Sequence, residues 1–176
     1  LFTLGNELHG SRKAMSSLLK EYREQDNRRL YAEGANNYFW APSFSDDSDF
    51  WVTMRTGHGD SIVRASFSHA DLPLGHVQAN YPSTLTDYRD NLPEINVPTV
   101  SHEIGQYQSF PNFREIDKYT GVLQARNFEV FRERLRSKGM LKLADDFFRA
   151  SGQLAVICYR EEIEAALRTP GFGGFQ

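Results

Sequence analysis

One cysteine stands in the 176 residues. Cys158 has no second cysteine to pair with, so an internal disulfide and a multi-cysteine metal centre are both excluded. Its expected role is a small buried filler. Long apolar runs are also missing. No stretch approaches the ~20 residues of a spanning helix, so a membrane partner is not expected. Charge of one sign is not in excess: 20 basic residues face 23 acidic ones, for a net charge of −3. That balance offers no basic surplus for nucleic acid or an anionic lipid surface. Low-complexity tracts and internal sequence repeats are absent as well. Compartment stays open, because many secreted enzymes also lack disulfides.

What is present suits a folded globule. The chain is 40% apolar and 13% aromatic, enough at this length for one domain with a real core. It opens on "LFTLGNELHG" without Met and closes on "RTPGFGGFQ". Both ends read as cuts, and the expectation is a piece of a longer protein.

Leu1–Asn6 reads as a strand buried on both faces, of the kind found in parallel sheets. Ser11 is placed to cap a helix carrying Met15, Leu18, Leu19 and Tyr22 on one face. Further strand candidates are Leu30–Gly34, Ile62–Phe67 and Val97–His102. Residues 36–60 hold no clear helix; they read as a long, Asp-rich loop with an edge strand near Phe50–Met54. "STLTDYRDNL" (83–92) reads as a short helix ending before Pro93. Phe128, Phe131 and Leu135 form a helical stripe ended by Gly139. Leu141 to Phe148 form another, and Ser151 is placed to cap a third that runs to Arg168. A last strand candidate begins near Phe172. The first four strands start near residues 1, 30, 62 and 97, close to the about 31 residues per unit of a (β/α)8 barrel. The fold expected is therefore α/β: a partial barrel, from about strand four to strand eight, with extra helices before the last strand.

Two acids follow strands. Glu7 sits just past the end of the first candidate, in "LGNE". Glu103 sits just past the fourth, in "SHEIGQY". They are 96 positions apart, about three barrel units. The C-terminal strand ends form the active-site face of such a barrel. Two carboxylates facing across a sugar are the equipment of a glycosidase: one protonates the leaving oxygen, the other attacks the anomeric carbon or activates water. The structural alternative for Glu103 is an ion pair with Arg64 or Arg126.

These motifs resemble glycoside hydrolase family 2, the family of β-galactosidases, β-glucuronidases and β-mannosidases. "LGNE" is similar to its acid/base motif at the end of barrel strand four, and "SHEIGQ" to its nucleophile motif at the end of strand seven. The stretch from "YAEGANNYFW" to "ALRTPGFGGFQ" resembles a branch of large multidomain enzymes of gut Bacteroidetes, so the resemblance covers nearly the whole chain. It implies that Glu7 is the acid/base, Glu103 the nucleophile of a retaining mechanism, and Asn6 the residue that bonds the sugar 2-hydroxyl. Their carboxyl groups should then lie about 5–5.5 Å apart in an intact site. It further implies a β-glycoside substrate, no metal or organic cofactor, and a periplasmic or secreted parent. The barrel's first three strands and the usual β-sandwich domains have no counterpart in the sequence.

Asn36, Trp40, His69 and His102 join Asn6 as candidate sugar contacts, although the resemblance assigns no role to His102. Phe39, Trp40 and Trp51 are candidates for stacking on sugar faces; loop anchoring and core packing are the alternative. His69, Asp71 and His76 lie close together, but their spacing fits a polar rim loop better than a metal site. Arg64 is a candidate substrate contact or the member of a local ion pair. The charged runs Arg132–Arg136 and Arg160–Glu164 read as solvated helix faces. The rival to an enzyme is an inactive carbohydrate-binding or structural remnant of the same barrel. A cut barrel exposes strand edges and inner apolar surface, so the isolated chain is expected to self-associate and to show little activity.

Overall fold

In the computed structural model, which describes residues 1–38, 41–57, 61–66 and 75–176, Ser11 caps the first helix. Its side chain accepts the Ala14 N–H at the start of α1 (Arg12–Gln25). Met15 and Leu19 from the expected stripe are buried, while Leu18 and Tyr22 stay partly exposed. α1 connects β1 (Phe2–Thr3) to β2 (Tyr31–Ala32), and the two strands pair in parallel. β1 is only half-buried, so Leu1–Asn6 is not the doubly covered strand expected. A parallel bridge from Asn6 to Ala35 extends the pairing to the strand ends.

The third strand differs from expectation. β3 is Trp51–Thr53, and Ile62 makes only an antiparallel bridge to Arg55. β3 is not an edge. It pairs in parallel with β4 (Thr99–Ser101), and Val52 bridges in parallel to Ala35. The burial explains the choice. Phe50, Trp51, Val52, Thr53 and Met54 are all buried, the condition of an inner parallel strand. Val52 and Phe50 pack with Ala32 and Ala35, and Val100 closes this cluster.

No helix fills the crossover from β2 to β3 among the described residues. The Asp-rich segment lies along α1 instead. Arg12 bonds Ser43, Ser16 bonds Asp47, Lys20 pairs with Asp47 at 3.3 Å, and Arg23 pairs with Asp49 at 3.0 Å. Those four residues recur at helical spacing on one face of α1. Asp49 then accepts the Tyr31 N–H at 2.8 Å and ties the segment to β2.

The connection from β3 to β4 carries the short α2 (His76–Ala79) and a 3-10 turn at Arg89–Asn91. The helix expected over 83–92 is reduced to that turn. The Asp87 carboxylate accepts the Arg89 N–H, a local bond that competes with helix propagation. α3 (Arg126–Ser137) ends as expected at Gly139, whose φ of 69° suits glycine. The two further helices expected after it are one, α4 (Ala144–Arg168). Ser151 does not start a helix. Its hydroxyl donates to the Phe148 carbonyl and accepts the Phe110 N–H at 2.6 Å.

β5 (Phe172–Phe175) pairs in parallel with β4. A side chain at Gly173 would meet Pro98 Cβ at 2.6 Å and the Thr99 carbonyl at 2.9 Å, so the approach of β5 requires glycine. The architecture is thus α/β with parallel ladders in the order β1–β2 and β3–β4–β5.

The chain forms two compact units. Leu1–Gln106 and Arg160–Gln176 make the first, and Tyr107–Tyr159 the second. The first unit holds β1 to β5, and a cluster of Val63, Tyr88, Ala165 and Ala166 with Leu92 and Phe172. The second is built on Phe110, whose ring meets Phe113, Phe131 and Phe147 at 5.9, 5.8 and 5.6 Å. Cys158, in the second unit, is half-buried rather than a core filler. No helix among the described residues is long and apolar enough to cross a membrane.

Candidate functional site

Three strand ends share an unusual backbone. Glu7 after β1, Asn36 after β2 and Glu103 after β4 have φ of 52°, 55° and 50°. A non-glycine residue in this left-handed region costs about 1–2 kcal/mol. Such strain persists only where the surroundings fix it, and it gathers at functional sites.

The fixing contacts are visible at each position. Glu7 N–H donates to the Ala35 carbonyl at 2.8 Å, and Leu8 N–H to Asn37 Oδ1 at 2.9 Å. Asn36 is 2% exposed and latches three strands. Its N–H donates to Val52 O, its Oδ1 accepts the Met54 N–H, and its Nδ2 donates to Glu7 Oε1 at 3.3 Å. At β4, His102 N–H donates to Thr53 O, and Ile104 N–H to Gln176 O. Arg64 Nη1 donates to the carbonyls of both His102 and Glu103 at 3.0 Å. Arg64 thus grips the backbone under Glu103.

Glu162 completes the support, and the sequence pattern missed it. This residue of α4 is 1% exposed, not on a solvated face. Its carboxylate accepts the Ala65 N–H at 3.0 Å, the Ser66 N–H at 3.2 Å, the Ser66 hydroxyl at 3.1 Å and the Gly105 N–H at 2.7 Å. It therefore joins the segment carrying Arg64 to the loop carrying Glu103. Nothing in a charged run marks one Glu as buried. The signal lay in the partners, Ser66 and Gly105, which are distant in sequence.

The two acids share two buried neighbours electrostatically. Both Glu7 and Glu103 act electrostatically on buried Arg64 and buried His102. Burial pulls the Arg64 pKa below its ordinary value, while Glu162, Glu103 and Glu7 pull it back up. His102 is lowered chiefly by burial and also by Arg64, against the pull of Glu103 and Glu7. Imidazole at this site is therefore neutral at neutral pH. Glu7 and Glu103 themselves are exposed, as is Asn6. Gln106 Nε2 donates to Glu103 Oε2 at 3.3 Å, and His102 Nε2 lies 3.6 Å from Glu103 Oε1.

The structure thus places Asn36 against Glu7, and Arg64 and His102 against Glu103, and adds Gln106, Glu162 and Gln176. Asn6 lies beside them on the β1 end through its bridge to Ala35. Trp51 is 8% exposed and packs within the sheet, so it is not a free stacking face. Phe39, Trp40, His69 and Asp71 lie outside the described residues. His76 Nε2 sits 3.3 Å from Glu161 Oε1. Among the described residues no cluster of three or more His, Cys, Asp or Glu could hold a metal ion. No family model matches the chain, and no curated protein matches it significantly.

Proposed function

We propose that this chain carries the two-carboxylate site of a retaining β-glycosidase of the glycoside hydrolase family 2 type. The observation that carries the reading is the shared setting of Glu7 and Glu103. Each stands in a left-handed backbone conformation directly after a parallel strand, and each acts on the same buried Arg64 and His102. On this reading β1 to β5 correspond to barrel strands four to eight, and the two acids come from strands four and seven. The resemblance of "LGNE" and "SHEIGQ" to the family's motifs supports the same correspondence.

Glu103 is then the nucleophile. Its carboxylate attacks the anomeric carbon as the aglycone leaves, forming a glycosyl ester. Glu7 protonates the departing oxygen and then deprotonates the water that hydrolyses the ester. Asn36 orients Glu7 through its amide, and Gln106 orients Glu103. Arg64 stabilises negative charge on both carboxylates. Asn6 serves the sugar 2-hydroxyl. The substrate is a β-linked glycoside, with galactosides the first to test, and no cofactor is required.

The test is leaving-group dependence in the full product of the gene. Glu7→Ala and Glu103→Ala are each expected to nearly abolish turnover of an unactivated β-glycoside. An activated aryl leaving group needs little protonation, so it should partly rescue Glu7→Ala and not Glu103→Ala. Near-normal rates in either variant on the unactivated substrate would end the assignment.

A further inference from the structure

His102 is 3% exposed, and its two ring nitrogens have different neighbours. Nδ1 lies 2.9 Å from Gln176 Nε2. Nε2 has no hydrogen-bond partner among the described residues and faces Glu103 Oε1 at 3.6 Å. With the Gln176 amide nitrogen as the donor, Nδ1 offers its lone pair and the proton sits on Nε2. The other end agrees. A lone pair on Nε2 would confront a carboxylate oxygen, acceptor against acceptor. With Nε2–H, an otherwise unpaired buried donor points at the carboxylate.

The Gln176 backbone is tied on both sides. Its backbone N–H donates to Ser101 O at 3.0 Å, and its carbonyl accepts the Ile104 N–H at 2.9 Å. The residue therefore spans the loop that carries His102 and Glu103. We infer that His102 is a positioning residue for the Glu103 carboxylate, locked by Gln176 as the neutral Nε2–H tautomer and presenting that N–H as a donor to Oε1. The functional meaning of this donor rests on the glycosidase reading; the tautomer does not. The 3.6 Å gap suits an unliganded site, because catalytic hydrogen bonds often tighten only when substrate is bound. The charged groups acting on the ring are Glu103, Glu7 and Arg64. Burial and Arg64 outweigh the two acids and favour the neutral ring.

The first experiment is two-bond ¹H–¹⁵N correlation on the histidine-labelled chain, with His102 assigned from the signals lost in His102→Gln. The expected result is an Nε2–H tautomer at neutral pH that takes its second proton only below the ordinary imidazole value of about 6.5. Gln176→Glu should raise the His102 pKa, because a carboxylate at Nδ1 favours a second proton. Glu103→Gln should shift the Nε2 resonance without changing the tautomer. An Nδ1–H tautomer, or a ring indifferent to both substitutions, would overturn the inference.

The second experiment is kinetic, in the full gene product. His102→Leu removes the donor and should lower kcat by roughly 10- to 100-fold, the worth of a hydrogen bond to a charged group. His102→Gln retains an N–H and should recover much of that loss. Equal losses in both would overturn the donor role. If the tautomer is confirmed while Glu103→Ala leaves activity intact, the glycosidase reading falls and the His102–Gln176 pairing stands.

Discussion

Replacing Glu162 should cost more stability than its place in a charged run suggests. Its carboxylate accepts three backbone N–H groups, from Ala65, Ser66 and Gly105, and the Ser66 hydroxyl. In Glu162→Ala these donors are stranded in a buried site. Each stranded donor costs about 1–3 kcal/mol. Water entering the vacated space recovers part of the total, leaving a net loss of about 3–5 kcal/mol. That is a large share of the roughly 5–15 kcal/mol that holds a domain together. Glu162→Gln keeps one acceptor oxygen but turns an NH2 toward one of the donors, and should cost about 1–2 kcal/mol. The assay is urea unfolding followed by tryptophan fluorescence. Trp51 belongs to the unit that contains Glu162 and is buried there, so it reports on the right part of the chain. At a slope of about 2 kcal/mol per molar urea, the alanine variant should shift the midpoint down by about 1.5–2.5 M. A shift under about 0.5 M would mean that Glu162 is solvated and that another group holds the Gly105 loop.

Two other outcomes follow from groups outside the site. Glu33 is 5% exposed, its Oε1 has no hydrogen-bond partner among the described residues, and burial raises its pKa. A carboxyl raised in the folded state contributes stability below its unfolded value and loses it as pH rises through the folded one. Glu33→Gln should therefore be more stable than the parent chain by about 1 kcal/mol near neutral pH, and the gain should vanish in acid; thermal melts at the two pH values check this. Leu154, Val156 and Ile157 on α4 are 60%, 68% and 64% exposed, so the chain should self-associate at micromolar concentration, and a clean monomer by light scattering would contradict it.

The sequence was most legible where a local rule operates alone. Ser11 capped its helix, Gly139 ended another, and the apolar runs at 97–102 and from Phe172 became β4 and β5. Both acids lie past strand ends because each motif carries its strand beside it. The misreadings share a cause. Ile62–Phe67 and Phe50–Met54 are both apolar, and only pairing with Thr99–Ser101 and Ala35 selects the second as β3. The regular spacing of about 31 residues favoured the wrong one. Ser151 looked like a cap because Ser commonly caps; its hydroxyl instead bonds Phe110 in a contact 41 residues away. The supporting residues Glu162 and Gln176 act on groups remote in sequence. Composition and spacing carry no trace of such partners.

Covalent trapping of Glu103 tests the central claim most directly. A 2-deoxy-2-fluoro β-glycoside with a good leaving group slows both steps, because fluorine destabilises the oxocarbenium-like transition state. The leaving group lets the first step proceed, so the glycosyl ester accumulates. The full gene product should gain the mass of one fluoroglycosyl unit. After tryptic digestion that mass should lie on the peptide spanning residues 90–114, and fragmentation should assign it to Glu103 rather than Glu94. Glu103→Ala should take up none. An unlabelled protein that nevertheless hydrolyses β-glycosides, or a label carried by another carboxylate, would contradict the assignment of Glu103 as nucleophile.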